Sequence, residues 1–277
     1  MFVGSSRTIG SYILSVGNKI SGFTIARNVV KFEYPFEQWC QAMVNLNLAE
    51  IVVGYDPTTE DGTHELMLKC RDRYGIRLFE SVWDMNNFER GTELGIQTDK
   101  VMEQLNYDWN LYVQLDEAFH EDDALLIHEA TKQPPQVTGV DFLRVYFFGN
   151  LQTIRKDWSV KITRLTRKGT HSYADFDGMN CKPLQGVHSY CSAWLYHYSR
   201  LGDPKIISQR IRNVDGFFHQ PKHLVKPENL SDYDFKTREF DNTSVVESEK
   251  PREVPADFKI HHGTHPLPFA ELYKEYK

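Results

Sequence analysis

Hydrophobic and polar positions follow two alternating patterns along the first half of the chain. Short apolar runs, typical of buried strands, occur at residues 20–26, 49–56, 76–83 and 109–117. Between them, apolar residues recur every three or four positions, as in amphipathic helices, at residues 36–46, 63–74 and 91–105. This alternation predicts the α/β class, with a mostly parallel central sheet and helices on both faces.

The pattern changes after residue 133. Residues 137–149 and 158–167 alternate like exposed strands, and 192–200 form a short aromatic segment. These segments predict a smaller mixed sheet joined to the first. From residue 227 the chain is polar, which predicts one domain over 1–226, with halves 1–150 and 151–226, and a C-terminal extension over 227–277.

Composition sets the broad class. The chain has 277 residues, of which 40% are hydrophobic and 13% aromatic, enough for a sizeable core. No run reaches ~18 apolar residues, so no membrane helix is predicted, and the first residues lack the pattern of a signal peptide. The four cysteines form no CxxC pair, which favours a reducing, cytoplasmic location.

Charge is distributed unevenly. The whole chain has a net charge of −6, yet residues 151–226 contain 13 Lys and Arg against 5 Asp and Glu. Residues 1–150 contain 12 against 22. The basic segment predicts a local anionic ligand, such as a phosphate, an acidic glycan or a nucleic acid. The alternative is that its positive charges pair with the acidic first half.

An acidic cluster follows the fourth predicted strand, in the stretch "NLYVQLDEAFHE". Asp116 and Glu117 come directly after the apolar run. One interpretation is a solvated turn whose acids lie near a helix N-terminus. The other is a divalent metal site at the carboxyl edge of a sheet, where open α/β folds bind ligands.

Several segments together resemble the family 2 glycosyltransferases, which have the GT-A fold. They are, in order, "SGFTIARN", "EIVVGYDPTTEDGT", "ESVWD", "NLYVQLDEAFHE", "YHYSRLGDP" and "GTHP". The resemblance implies a nucleotide-sugar-binding half over 1–150 and an acceptor half over 151–226. It also implies transfer of a sugar from a nucleotide-diphosphate sugar to an acceptor hydroxyl.

The resemblance implies a nucleotide site at the first two strands. Asp56 matches an acid that reads the base, commonly uracil through its N3–H, because a carboxylate accepts from an N–H. The alternative is a turn residue before Pro57. The other matching positions belong to the first strand and turn, which lie against the nucleotide, and to the helix behind it: Thr24, Ala26, Asn28, Gly91 and Thr98.

The resemblance also implies a metal site. Asp116 matches the second aspartate of the family's Asp-x-Asp motif, which binds Mn²⁺ or Mg²⁺ on the diphosphate. Gln114 replaces the first aspartate and brings no charge, so either Glu117 compensates or the metal binds more weakly. His197 matches a histidine that completes the coordination. Alone, a histidine among aromatic residues is as readily a hydrogen-bonded core residue.

The family's chemistry is a single displacement with inversion. A base removes the acceptor's hydroxyl proton while the metal stabilises the leaving diphosphate. Asp175 and Asp177, in "HSYADFDGMN", are the candidate bases, with turn residues as the alternative. Arg164 and Arg167 are predicted to hold a phosphate or an acidic acceptor. Alternatively, they lie on an exposed strand and face water.

Three functions fit these features. The first is a metal-dependent, inverting hexosyl- or pentosyltransferase that uses a UDP-sugar and a glycan or other hydroxyl acceptor. The second, suggested by Gln114, is a non-catalytic nucleotide-sugar-binding module. The third, suggested by the basic segment, is a viral-type DNA glycosyltransferase acting on hydroxymethylated bases, which would need aromatic residues to receive an extruded base.

Overall fold

A computed structural model describes residues 18–87, 91–172, 186–217, 258–261 and 263–276. Its strands are β1 (Ile20–Ala26), β2 (Glu50–Tyr55), β3 (Arg77–Glu80), β4 (Trp109–Tyr112), β5 (Glu117–Phe119), β6 (Val137–Phe148), β7 (Asn150–Arg167), β8 (Val187–Arg200) and β9 (Phe258–Ile260). Its helices are α1 (Phe36–Asn45), α2 (Thr63–Tyr74), α3 (Thr92–Met102), α4 (Ala124–Glu129), α5 (Pro204–Asp215) and α6 (Leu267–Leu272). A short 3₁₀ turn, Glu121–Asp123, precedes α4.

The described strands form one nine-stranded sheet, in the order β3-β2-β1-β4-β7-β6-β8-β5, with β9 on β7. Strands β1 to β4 are parallel. Strand β7 is antiparallel to both β4 and β6, and β8 runs parallel to β6. The predicted α/β class is therefore confirmed. The mixed strands continue the same sheet through the β4–β7 pair, where the sequence predicted a second, smaller sheet.

Two cores cover the two faces of the parallel strands, because successive side chains of a strand point to opposite sides. Ala26 and Val53 pack on one face with residues of α1 and α2. Phe23, Ile25 and Val52 pack on the other face with residues of α3. Helices thus lie on both faces, as predicted.

The described C-terminal elements join the same body. β9 pairs antiparallel with β7, where Thr153 is opposite Ile260. In α6, Phe269 is fully buried and stacks on Tyr198 of β8, and α6 contacts α1. The domain boundary at residue 226 stays a prediction. None of the helices in the described ranges is long and apolar enough to cross a membrane.

Candidate nucleotide-sugar site

A cleft lies at the carboxyl ends of β1 and β4, the edge at which open α/β sheets bind ligands. Its empty volume is about 620 Å³, including solvent at its mouth. One part is apolar and aromatic, formed by Ile25, Trp83, Leu94, Tyr112 and Phe217. The other part is polar and includes Arg27, Gln114 and Asp116. The arrangement suits an elongated ligand with a flat apolar end and a charged end.

The residues in and after β1 that border the cleft are shifted by one position from the predicted ones. Ile25 and Arg27 line the cleft. Ala26 packs into the core on the opposite face, and Thr24 is fully buried between its neighbours. Asn28 lies beyond the strand with a φ of 51°, and its carbonyl accepts a hydrogen bond from Phe32. Thr24 and Ala26 are therefore absent from the cleft surface.

The carboxylate of Asp56, at the end of β2, has partners on both oxygens. Oδ2 accepts from Nε of Arg27 at 3.0 Å. Oδ1 accepts from the backbone N–H of Thr58 at 3.0 Å and from its hydroxyl at 2.6 Å. The side chain of Asp56 is 1% exposed, whereas that of Arg27 is 21% exposed. Arg27 thus separates Asp56 from the cleft.

The end of β4 brings two of the predicted residues to the cleft. The side chain of Asp116 is 14% exposed, and burial raises its pKa to about 6, helped by the charge of Glu117 and opposed by Arg210 and Arg144. Gln114 also borders the cleft. Its buried Nε2 has no hydrogen-bond partner among the described residues, so a ligand oxygen there would satisfy it.

His197 of β8 lies beside Asp116. Its Nε2 is 3.9 Å from Oδ1 of Asp116, and its ring packs against Tyr146 with centroids 4.1 Å apart. Burial lowers the pKa of His197 well below its ordinary value, and the positive charges of Arg144 and Arg164 lower it further. The imidazole is therefore neutral at pH 7, which is the form that binds metals.

Glu117 is engaged by protein groups on both oxygens. Arg164 donates from Nε to Oε2 at 3.0 Å and from Nη2 to Oε1 at 2.8 Å, and both side chains are fully buried. The backbone N–H of Gln114 donates to Oε2 at 3.1 Å. Glu117 and Arg164 therefore fix the turn that carries Gln114 and Asp116, and our proposal below leaves both out of the ligand-binding set.

Arg167 also has partners within the fold. It donates to the carbonyls of Val137 at 2.8 Å and Gln133 at 2.7 Å. Its guanidinium lies 4.4 Å from the ring centre of Trp109. Of the two arginines predicted to hold an anionic acceptor, Arg164 pairs with Glu117 of the acidic first half, as the alternative has it, and Arg167 is held by backbone carbonyls.

The remaining predicted residues lie on or near α3, or outside the described residues. Gly91 begins α3 with a φ of 69°, and its N–H donates to the carbonyl of Phe217 at 2.8 Å. Thr98 is buried, with its hydroxyl 2.7 Å from the carbonyl of Leu94, which borders the cleft. Asp175 and Asp177 lie outside the described residues.

Helix α5 closes one side of the cleft and was not predicted from the sequence. It contributes Asn213 and Val214 to the lining, and Phe217 follows it. The available signal was Asp203, which accepts from the N–H of Lys205 at 2.7 Å, followed by Pro204 at the first helical position.

Arg210 fastens this helix to the loop after β1. Its Nε donates to the carbonyl of Phe32 at 2.6 Å, and its Nη2 donates to the carbonyl of Glu33. The guanidinium also lies 5.0 Å from the ring centre of Tyr34, which lines the cleft. This positive group near Asp116 favours negative charge in the polar part of the cleft.

The residues at the polar end fit a divalent metal as partial ligands. Asp116 offers a carboxylate oxygen and His197 a neutral imidazole nitrogen, a donor set compatible with Mn²⁺. In the described ranges, no group of three or more acidic, histidine or cysteine side chains could hold an ion by itself. A metal bound here would therefore need oxygens from a ligand, as a diphosphate provides.

Three solved structures are similar to parts of this chain. TarS from S. aureus has 16% identity and a TM-score of 0.41, over 71% of this chain and 39% of TarS. Glucosyl-3-phosphoglycerate synthase from Mycobacterium tuberculosis, in complex with Mn²⁺, UDP and glucosyl-3-phosphoglycerate, has 13% identity and a TM-score of 0.35, over 54% of this chain and 51% of the synthase. A putative glucose-1-phosphate thymidylyltransferase from Bacillus anthracis, in complex with a sucrose, has 10% identity and a TM-score of 0.44, over 76% of this chain and 99% of that protein.

The first two of these proteins are considerably longer than the part that aligns, so this chain spans about 39% of TarS and 51% of the synthase. No family model and no curated protein matches the sequence. The function proposed below rests on the cleft and its residues.

Proposed function

We propose that this protein is a metal-dependent, inverting glycosyltransferase of the GT-A type that uses a nucleoside-diphosphate sugar, with UDP as the favoured nucleotide. One observation carries the proposal. A cleft at the carboxyl edge of the parallel strands is lined by aromatic residues and by Asp116, and the imidazole of His197 lies 3.9 Å from the carboxylate of Asp116.

The two parts of the cleft match the two chemical parts of such a donor. The base is flat and apolar on its faces, and Trp83, Tyr112 and Phe217 offer aromatic surfaces for it. The diphosphate carries negative charge, and the polar end lies next to Arg210. The amide nitrogen of Gln114 would donate to a ribose or phosphate oxygen, which satisfies a buried group that is unpaired in the protein alone.

The proposed mechanism assigns separate roles to several side chains. Asp116 and His197 would hold the metal, which when bound would supply positive charge to stabilise the leaving diphosphate. Glu117 and Arg164 position the turn that bears Asp116. One of Asp175 and Asp177 is proposed to remove the proton from the acceptor hydroxyl as that oxygen attacks the anomeric carbon.

The test is donor hydrolysis and transfer across a panel of nucleotide sugars, with and without Mn²⁺. The wild type is compared with Asp116→Ala and with the control Asp122→Ala, whose carboxylate is 90% exposed in the same segment. We expect metal-dependent turnover in the wild type and the control, and none in Asp116→Ala. Equal turnover by all three proteins in the presence of a chelator would refute the proposal.

A non-catalytic nucleotide-sugar-binding module is the second candidate. The observation that favours it is the neutral side chain of Gln114 beside Asp116 at the polar end of the cleft. The same panel distinguishes the two candidates, because a binding module would retain metal-dependent affinity for one nucleotide sugar without consuming it.

A further inference from the structure

We propose that Arg27, and not Asp56, makes the polar contact with the donor nucleotide in the middle of the cleft, while Asp56 positions Arg27. This inference rests on the proposed function and identifies the residue that selects the nucleotide. A carboxylate would accept hydrogen bonds from N–H groups of the ligand, whereas a guanidinium donates to oxygens. The two assignments therefore predict different ligand atoms at this point, N–H donors for Asp56 and oxygen acceptors for Arg27.

Strand order places Arg27 at the centre of the site. The strands run β2, β1, β4 across the sheet, and Ala26 at the end of β1 is opposite Tyr55 at the end of β2. The next residues, Arg27 and Asp56, are therefore neighbours. On the other side, β4 leads to Gln114. A nucleotide that extends from Trp83 to Asp116 has to pass Arg27 on its way.

Burial separates the two residues of the ion pair. Asp56 is 1% exposed and does not line the cleft, whereas Arg27 is 21% exposed and does. Asp56 already accepts three hydrogen bonds, one from Arg27 and two from Thr58. Reading a base directly would require Asp56 to give up one of these bonds and Arg27 to move aside.

The ion pair leaves most of the guanidinium for a ligand. Asp56 is bound through Nε of Arg27, and within the described part of the chain the side chain has no other hydrogen bond. A guanidinium carries five N–H donors in a planar array, so the two Nη groups stay available. The ligand partners we infer are oxygen acceptors of the nucleotide, either base carbonyls or phosphate oxygens.

The experiment compares binding of uridine, UMP and UDP by calorimetry without metal, for the wild type, Arg27→Ala, Arg27→Lys and Asp56→Asn. Arg71→Ala is the control, because it removes the same charge from an exposed ion pair with Asp72 on α2. We expect Arg27→Ala to weaken UDP binding by about 10- to 100-fold, the range for hydrogen bonds to charged groups. We expect Asp56→Asn to have a smaller effect and Arg71→Ala none.

The three ligands locate the contact. If Arg27 donates to base carbonyls, Arg27→Ala weakens binding of all three by the same factor. If it donates to phosphate, uridine binding is unchanged while UMP and UDP bind more weakly. Arg27→Lys retains the charge, but its ammonium lacks the planar array of donors with which a guanidinium can bind Asp56 and a ligand at the same time. Its affinity for UDP should therefore lie between those of the wild type and Arg27→Ala.

Arg27→Ala leaves a buried carboxylate without its partner and can unfold the protein for that reason alone. The double variant Arg27→Ala with Asp56→Asn removes both charges, and thermal unfolding identifies which variants are folded. We expect the folded double variant to bind as weakly as Arg27→Ala, because Asp56 acts through Arg27.

Two outcomes would overturn the inference. Unchanged uridine and UDP binding in folded Arg27 variants, together with loss of uridine binding in Asp56→Asn, would mean that Asp56 reads the base directly. A wild type that binds neither UDP nor any other nucleoside diphosphate even when Mn²⁺ is present would refute the proposed function, and this inference with it. The first outcome leaves the proposed function intact.

Discussion

Asp56 and Asp116 each follow a parallel strand at the same edge of the sheet, with β1 between them. The carboxylate of Asp56 accepts three hydrogen bonds from within the fold, one of them in its ion pair with Arg27. Asp116 has no side-chain hydrogen bond to another described side chain, and its pKa is raised to about 6. We infer from this difference that Asp116, and not Asp56, is the acid available to bind a ligand.

The largest expected effect separates these two acids by activity. Asp116→Asn should lower kcat/KM by about 1,000-fold, because it removes the anionic ligand from a metal that stabilises the leaving group by several kcal/mol. Asp56→Asn should lower it by only about tenfold, because Arg27 remains. Steady-state kinetics with Mn²⁺ measures both, and similar losses in the two variants would refute the distinction.

Glu117 tests the same distinction through protein stability, because both of its carboxylate oxygens accept hydrogen bonds from Arg164. Glu117→Gln should lower the free energy of unfolding by about 3–5 kcal/mol, because it leaves the charge of Arg164 buried without its counterion. The control is Glu129→Gln, which breaks an exposed pair with Lys132 and should cost less than about 1 kcal/mol. Urea unfolding monitored by fluorescence measures both, and a small loss for Glu117→Gln would argue against a structural role.

The raised pKa of Asp116 predicts how metal binding depends on pH. Below about pH 6 the carboxyl group of Asp116 is protonated in the folded protein, and the proton competes with the metal. Mn²⁺ affinity should therefore fall by about tenfold per pH unit below 6 and level off above 7. Burial and the neighbouring arginines lower the pKa of His197 well below its ordinary value, which favours the neutral imidazole that binds metals.

The measurement is Mn²⁺ binding in the presence of a saturating nucleotide sugar between pH 5 and 8. A nucleotide sugar is preferable to UDP because its diphosphate is esterified at both ends and has no proton that titrates near pH 6. A pH-independent affinity would mean that Asp116 is not a ligand, and a slope of two protons would mean that a second acid contributes.

The smallest expected effect concerns Gln114. Gln114→Met should weaken nucleotide binding by about 3- to 10-fold, equivalent to one hydrogen bond, while the free energy of unfolding stays the same or rises, because the buried Nε2 is unpaired in the protein alone. The control is Gln97→Met. Nε2 of Gln97 donates to the carbonyl of Val82 and to Glu93, so this variant should lose stability. Loss of stability in both would place Gln114 with the structural residues.

Periodicity was sufficient to predict the elements of the parallel half. Helix α2 begins and ends where predicted, at Thr63 and Tyr74, and Asp116 lies at the cleft as the resemblance implied. The face of β1 could not be predicted, because all seven of its residues are buried and no polar alternation marks the side that borders the cleft. The choice between Thr24 and Arg27 therefore required the structure.

The partners of the buried charges were equally inaccessible to sequence reasoning. Arg164 meets Glu117 across 47 positions of sequence, through the pairing of β4 with β7 and of β5 with β8. From the alternation along β7, Arg164 could be predicted only as a ligand-binding or as an exposed residue. In the structure it is fully buried, which is possible because the fold brings the carboxylate of Glu117 to it.

The attachment of α5 through Arg210 has a consequence for biosynthesis. Arg210 and the carbonyl of Phe32 are 178 positions apart in sequence. The ribosome therefore has to make every residue up to Arg210 before this side of the cleft can form, since contacts between distant segments arise late and slowly. A nascent chain that has completed only the parallel strands would carry an open cleft, and we expect nucleotide to stabilise the protein only after α5 has emerged.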